Sequence, residues 1–450
     1  MALPAATVWE VQTGGDDSLN SGGFVAGATG TDYSQQAAAQ YSGTDLVVDG
    51  TTNTKVTSVS HNFVSADVGN LLRIKSGTGW TAGFYQIVSV AAGAATLDRS
   101  PAATSTTGGS YAVGGAFASL GQAVPTMVSG NTCWLKTGTY NVSSTIAANN
   151  NLRGFRFEGY GTVRGDGIHA TLKATAAITV WSLNNFDQGV VRYLNFDGNG
   201  LTGTNGLVMV AFGATGSLTY ILDCKFFNFS GSGFVNAGLV CFVDRCEAFG
   251  NAKGFDSGIQ GGFYRNCYSH GNTGNGFYRC SGGVFVGCIS AANGGIGFEY
   301  FGPGQTIFEG CVAYGNASHG FGAGDTSLRI VTFQNCISYS NGGFGYSSTT
   351  STATFLVNSA SGNNTSGAMS GVTSYAGNVS LASDPFTNGA GGDFSLNATT
   401  GGGAACRAAG FPGVFPGGTT TGFADIGAVQ HQDVGGSNDS TILSRIFGGF

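Results

Sequence analysis

Three acids in the middle of the chain, Asp223, Asp244 and Glu247, have the types and spacing for acid/base chemistry. They flank Cys224 and Cys246, which lie 22 residues apart. If that interval is one turn of a repeating structure, like positions stack on adjacent turns, and the acids fall within the ~5 to 9.5 Å over which two carboxyls cleave a glycosidic bond. Tyr268, Tyr278 or Tyr300 would then stack on the sugar. The two positions before each cysteine should lie at a bend and point outward, offering Asp223, Asp244 with Arg245, Arg265 with Asn266, and Glu309. The same spacing places Asp244 beside Arg265 one turn on, and a charge pair on a solvated ladder is the more economical use of both. No residue is assigned as catalytic outright; if the chain is an enzyme, the three acids carry the reaction.

Other reactive side chains point to structure. A ladder of cysteines is a row rather than a tetrahedral shell, and no histidine keeps step with it, so no metal site is expected. Parallel Cβ vectors at the ~4.8 Å spacing of stacked strands exceed the ~3.8 Å of a disulfide, which leaves free thiols acting as small core hydrophobes. His61, His169, His270, His319 and His431 share no spacing and read as surface turn residues. Asp166, Asp187 and Asp197 sit in Gly- and Asn-rich turns, where aspartate serves turn geometry. No phosphate loop, nucleophile elbow or Cys/His pair stands out among 79 glycines, and no cofactor is expected.

The elements that must position the acids come from a repeat. Cys224, Cys246, Cys267, Cys288, Cys311 and Cys336 are separated by 22, 21, 21, 23 and 25 residues. Each is followed by a glycine and an aromatic (Phe234, Phe255, Phe277, Phe298, Phe321, Tyr346), and all but the first by an asparagine five residues on. The position three before each cysteine is apolar, and the position two after it is small in five of six copies. Short strands with alternate residues inward and a bend before the cysteine account for this. Copies rich in Gly, Asn and Ser lack the Leu/Ala face of a helical repeat, so a parallel β-solenoid is expected. The asparagines are expected at left-handed turns, with amides bonding the turns above and below, and the glycines at the next tight corner.

Composition narrows the class further. Only 9% of the residues are charged and the net charge is −6 without a basic block, which makes nucleic acid a poor partner. No apolar run reaches the ~18 residues of a membrane span, and MALPAATVWEVQ lacks the layout of a secretory leader, so assembly in a cytoplasm is expected. Four segments follow: an extended arm over 1–42, a small antiparallel barrel-like module over 43–113, a parallel β-helix with a cap helix over 114–432, and a tail over 433–450. In the tail, Ile442, Leu443, Ile446, Phe447 and Phe450 form an apolar docking side.

The coils of the CVAYGNASHGF type, the entry ASLGQAVPTMVSGNTCWLKTGTYNVSSTI and the closing Asp425-Ile-Gly-Ala-Val429 resemble right-handed parallel β-helix proteins of the pectate-lyase-like kind, and among them those of tailed bacteriophages. The resemblance covers about two thirds of the chain and implies the fold more strongly than the function. The Asn-Thr-Asp, Asp-Asp and Gly-His-Gly signatures of polygalacturonase-like enzymes are missing from the repeats; an Arg-Ile-Lys at Arg73 to Lys75 lies in the upstream module, out of order. The resemblance therefore implies a non-enzymatic virion spike, fibre or capsid decoration, a homotrimer with other virion proteins as partners. A tailspike that cleaves host surface glycan is the alternative, and a bacterial surface adhesin a second one.

Overall fold

The computed structural model describes residues 3–410 and 424–430, apart from 104, 148–151, 185, 211–217, 238–239, 259–260, 303, 327–328, 350–351 and 376. The docking tail expected over 433–450, with Ile442, Leu443, Ile446, Phe447 and Phe450, lies outside the described residues. The chain divides into two compact units, Met1–Lys173 with Trp181–Asn195, and Ala174–Val180 with Phe196–Phe450.

In the first unit, six antiparallel strands between Tyr41 and Val113 close into the expected barrel. Alternation builds it: Leu46, Val56, Leu72, Ile87 and Tyr111 point inward and are fully buried. The segment expected as an extended arm does otherwise. Thr7–Val11 runs parallel to Thr132–Lys136, with Trp9 opposite Cys133, and antiparallel to Gly23–Val25. Trp9 and Val11 are wholly buried there, and an arm would leave both in water. The cap helix is Leu120–Thr126, packed through Leu120, Ala123 and Val124. Its N-cap hydroxyl, Ser119, is gripped by Asp17 at 2.6 Å, which ties the helix start to the amino-terminal segment.

The strand Thr7–Val11 also carries a buried charge. Glu10 is fully buried, and both of its oxygens are used: Tyr160 donates its hydroxyl to Oε1, while Arg164 donates to Oε2 from Nε and Nη2 at 3.0 and 2.7 Å. Arg164 reaches on to Asp32 at 2.8 Å. Its loop is shaped by Asp166, whose carboxylate accepts from the backbone of Gly161, Thr162, Val163 and Ile168, the turn role expected for that residue.

The second unit is the repeat. Each of three parallel sheets holds eight strands within it: the first from Thr219–Leu222 to Thr373–Ser374, the second from Lys225–Phe227 to Val379–Ser380, the third from Asn205–Val210 to Gly367–Ser370. The residue before each cysteine is left-handed, with φ of 51° at Asp223, 52° at Arg245 and 52° at Asn266, and this is the bend between the first and second sheets. None of the ten cysteines forms a disulfide, and all are buried. Phe255, Phe277, Phe298 and Phe321 stack at 4.6 to 5.0 Å between ring centres.

Two features of the repeat have other causes than expected. Asn272, Asn293, Asn316 and Asn341 do form a buried ladder, each amide donating to the next at 2.9 Å, ending on Asn364. The left-handed residue is the one before each of them, Gly271, Ala292, Gly315 and Ser340, because the corner must turn the asparagine inward. The glycines before the aromatics are not corners either. A Cβ at Gly276 would run into Ser290 Oγ and Asn293 Nδ2, so glycine is there to admit the ladder.

The β-helix expected to reach residue 432 has its last paired strand at Val379–Ser380. Beyond it, Phe386–Asn388 and Asp393–Leu396 form a hairpin that lies against the outer side of the second sheet. Phe386, Phe394 and Ile426 pack there with Val312 and Ile337. Those two residues flank the inward-facing Ala313 and Ser338 and face outward, so an apolar outer face has been covered by a later segment of the same chain.

Candidate functional site

The three acids of the sequence reading fall into two networks in the second unit, one on each side of Cys246. On the first-sheet side, Arg245 grips Asp223 through Nε and Nη2 at 2.7 and 2.9 Å and also contacts Asp244. Asp244, expected to point outward at the bend, is 1% exposed. It sits on the strand Cys241–Asp244, opposite Arg265 on Phe263–Arg265, and that guanidinium forks onto both of its oxygens at 2.9 and 2.8 Å. Arg265 in turn lies over the Phe242 ring at 5.2 Å. Two guanidiniums and a ring bury what spacing alone leaves on the surface.

Glu247 opens the second-sheet strand Glu247–Phe249. Lys225 meets it at 2.7 Å and His270 at 3.0 Å, one coil to either side. The His270 hydrogen bond and the Lys225 charge hold its carboxyl down at about 2, against partial burial that raises it. A carboxylate held there has no proton to donate at neutral pH. Asp223 and Asp244, forked by guanidiniums, act as staples between coils. Of the tyrosines considered for sugar stacking, Tyr300 is wholly buried with its hydroxyl donated to the Ser347 carbonyl. Tyr268 stacks on His270 at 4.2 Å, and Tyr278 lies under the Lys253 ammonium at 3.5 Å.

A second cluster, on the outer side of the third sheet, escaped the sequence reading. Asp256 pairs with Tyr278 across the ladder, and Phe277 with Phe298, so Asp256, Tyr278 and Glu299 occupy one column. Arg279, left-handed at φ 55°, forks onto Asp256 at 2.8 and 2.6 Å. Glu299 receives only the Asn275 amide, at 2.7 Å on Oε2; among the described residues Oε1 has no partner. Burial pushes this carboxyl up, and the Asn275 bond and the Lys253 charge offset it only in part. Two rungs of ~4.8 Å put the Cα atoms of Asp256 and Glu299 about 9.6 Å apart. The available signal was the position after each inward aromatic, which holds two acids in a chain that has few; attention to the cysteines passed over it.

In the first unit the buried Glu10 also has a displaced pKa. Burial pushes it up to about 7, even with Arg164 and Tyr160 favouring its charge. Among the described residues no three His, Cys, Asp or Glu side chains converge as metal ligands, and no helix is long and apolar enough to cross a membrane.

No family model matches this sequence, and no curated protein matches it. Solved structures do. Pectate lyase Pel9A aligns with 17% identity over 70% of this chain and 92% of its own, at a TM-score of 0.55. A Geobacillus virus E2 protein, ORF18, aligns over 58% of this chain and 57% of its own with 14% identity and a TM-score of 0.38. The A-module of Azotobacter vinelandii mannuronan C-5 epimerase AlgE6 aligns over 54% and 90% with 15% identity and a TM-score of 0.36. At these identities the likeness speaks to fold: with the sheets described above, the chain is a pectate-lyase-like parallel β-helix preceded by a closed antiparallel barrel.

Proposed function

We propose that this protein is a non-enzymatic structural component of a tailed-phage virion, a β-helical spike, fibre or capsid decoration that assembles as a homotrimer with other virion proteins. The observation that carries the reading is the pairing of Asp223, Asp244 and Glu247 with cations of neighbouring coils. Charges spent on holding coil to coil suit a shaft, and they withdraw the acids best placed by sequence from chemistry. The virion setting rests on the resemblance of the coils to phage β-helices. Quantitative mass spectrometry of purified particles against the major capsid protein tests it: a fixed stoichiometry is expected, and absence from particles would overturn the reading.

Glu299 and Asp256 favour one other reading, cleavage of a host surface polysaccharide. Their Cα atoms lie about 9.6 Å apart, and side chains leaning toward each other would bring the carboxyls into the ~6.5 to 9.5 Å range of inverting glycosidases. Glu299, which burial holds toward its protonated form, would protonate the leaving oxygen. Asp256, gripped through both oxygens by Arg279, would take a proton from the attacking water. Release of reducing ends from host polysaccharide should then vanish in Glu299→Gln at unchanged melting temperature. Unaltered release in that variant would remove the site.

A further inference from the structure

The outer side of the third sheet brings an amine, an amide and a carboxyl together. Lys253, Asn275 and Ile296 each stand two residues before an inward aromatic, Phe255, Phe277 and Phe298, and these pair rung to rung. The three therefore occupy equivalent places on successive coils. Gly254 donates its N–H to the Asn275 carbonyl at 3.1 Å, which sets the Lys253 and Asn275 rungs side by side. Adjacent rungs lie ~4.8 Å apart, within the sweep of lysine's flexible four-carbon stem. Asn275, 22 residues on in the chain, is thus the rung neighbour of a primary amine.

Both ends of the Asn275 amide are held. Its Oδ1 accepts the Ile296 N–H at 2.8 Å, and its Nδ2 donates to Glu299 Oε2 at 2.7 Å. The first bond draws electrons toward oxygen and leaves Cγ open to a nucleophile. The second puts a carboxyl on the nitrogen that would have to leave. The amine is held as well: Lys253 Nζ sits 3.5 Å from the centre of the Tyr278 ring, and Tyr278 lies between Asp256 and Glu299 in the neighbouring column. Asp256 has both oxygens on Arg279, whereas Glu299 feels the Lys253 charge and keeps Oε1 without a partner among the described residues. Burial raises the Glu299 carboxyl, as suits a group that takes up a proton and returns it.

The geometry points to a self-made cross-link, an isopeptide bond between Lys253 Nζ and Asn275 Cγ, with Glu299 carrying the protons. Glu299 takes a proton from the Lys253 ammonium, and the lone pair so freed forms the Nζ–Cγ bond while the Ile296 N–H supports the oxyanion. The Cγ–Nδ2 bond then breaks and its electron pair leaves with Nδ2. Glu299 delivers its proton to that nitrogen and relays a second one from Nζ. Nδ2, which began with two hydrogens, departs as ammonium, Nζ keeps one hydrogen as an amide, and Glu299 ends as it started. Nothing is oxidised or reduced and no co-reactant is consumed. Amine and amide fixed on one scaffold supply the proximity that so unreactive a carbonyl needs. The link ties two coils covalently. It goes beyond the structural reading and does not rest on it, since the test reads a mass, and Glu299→Gln enters it with a readout separate from the release of reducing ends.

Intact-mass spectrometry and tryptic mapping of the full-length protein test the link. The protein should be lighter than its sequence by one ammonia, and trypsin should release residues 246–265, uncut at Lys253, joined to residues 266–279. Lys253→Arg should restore the full mass, and so should Glu299→Gln with its β-sheet circular dichroism retained. Wild-type protein at full mass would overturn the proposal whatever the variants do. An ammonia loss that survives in Lys253→Arg would overturn it too, because Asn275 precedes Gly276 and an asparagine that cyclises on its own backbone sheds the same mass. Joined peptides persisting in Glu299→Gln would remove Glu299 as the proton carrier and with it the mechanism.

Discussion

Two glutamates, Glu10 in the first unit and Glu247 in the second, each face a cation and a further hydrogen-bonding partner, yet their carboxyls move in opposite directions. Glu10 meets Arg164 and Tyr160 and rises to about 7; Glu247 meets Lys225 and His270 and falls to about 2. The partners are comparable, so the surroundings decide. The Glu10 side chain is fully enclosed between the amino-terminal strand and the loop of Arg164, whereas that of Glu247 keeps 27% of its surface in water. Removing a carboxylate wholly from water costs more than one guanidinium returns; leaving it partly hydrated lets the pairing dominate. A salt bridge in a contact map thus says little about protonation until burial is known.

The sharpest way to break this comparison is Arg164→Met. It strips Glu10 of its cation, and at pH 8 the loss should be about 3–5 kcal/mol in urea denaturation, the range for an uncompensated buried charge. At pH 5 Glu10 takes up a proton and the loss should be clearly smaller. Equal losses at both pH values would mean that burial is not what sets Glu10 apart.

The next effect needs no change to the cation. Because the folded pKa of Glu10 is raised from 4.5 to about 7, its contribution to stability is fully present below pH 4.5 and is lost as pH rises through 7. The wild type should be less stable at pH 8 than at pH 4.5 by about 3 kcal/mol on this account, and Glu10→Gln should flatten that slope. For Glu247 the sign reverses: its contribution is present above pH 4.5 and is lost as pH falls through about 2. Glu247→Gln should cost about 1 kcal/mol at pH 7, as for a partly hydrated pair, and close to nothing at pH 2. A larger cost at low pH would contradict the assignment.

Much of the repeat could be read before any coordinates. The cysteines, the apolar residues three before them, the inward aromatics and the amide bonding of the asparagines recur at one period, and a period plus strand alternation suffices to place a side chain inside or outside. Glu299 and Asp256 lay in an equally periodic column, and only the choice of reference residue hid them. Asp244 was misplaced for a different reason. Its position on the rung was right, but its burial comes from Arg245 and Arg265 closing over it from two coils, which depends on side-chain reach.

The amino-terminal strand and the hairpin after Ser380 could not be placed this way. Thr7–Val11 is separated from its partner strand Thr132–Lys136 by more than a hundred residues and the whole barrel, and nothing in TVWEV names that partner. The hairpin likewise covers Val312 and Ile337 from outside the repeat. What the amino-acid sequence by itself determined is the coil: its length, its inward residues and its corners, because each is a local choice made again every 22 residues or so. What only the tertiary structure decided is where the unrepeated segments settle and which acids they and their neighbours enclose. Those outcomes depend on contacts between residues far apart in the chain, and such contacts leave no period to read.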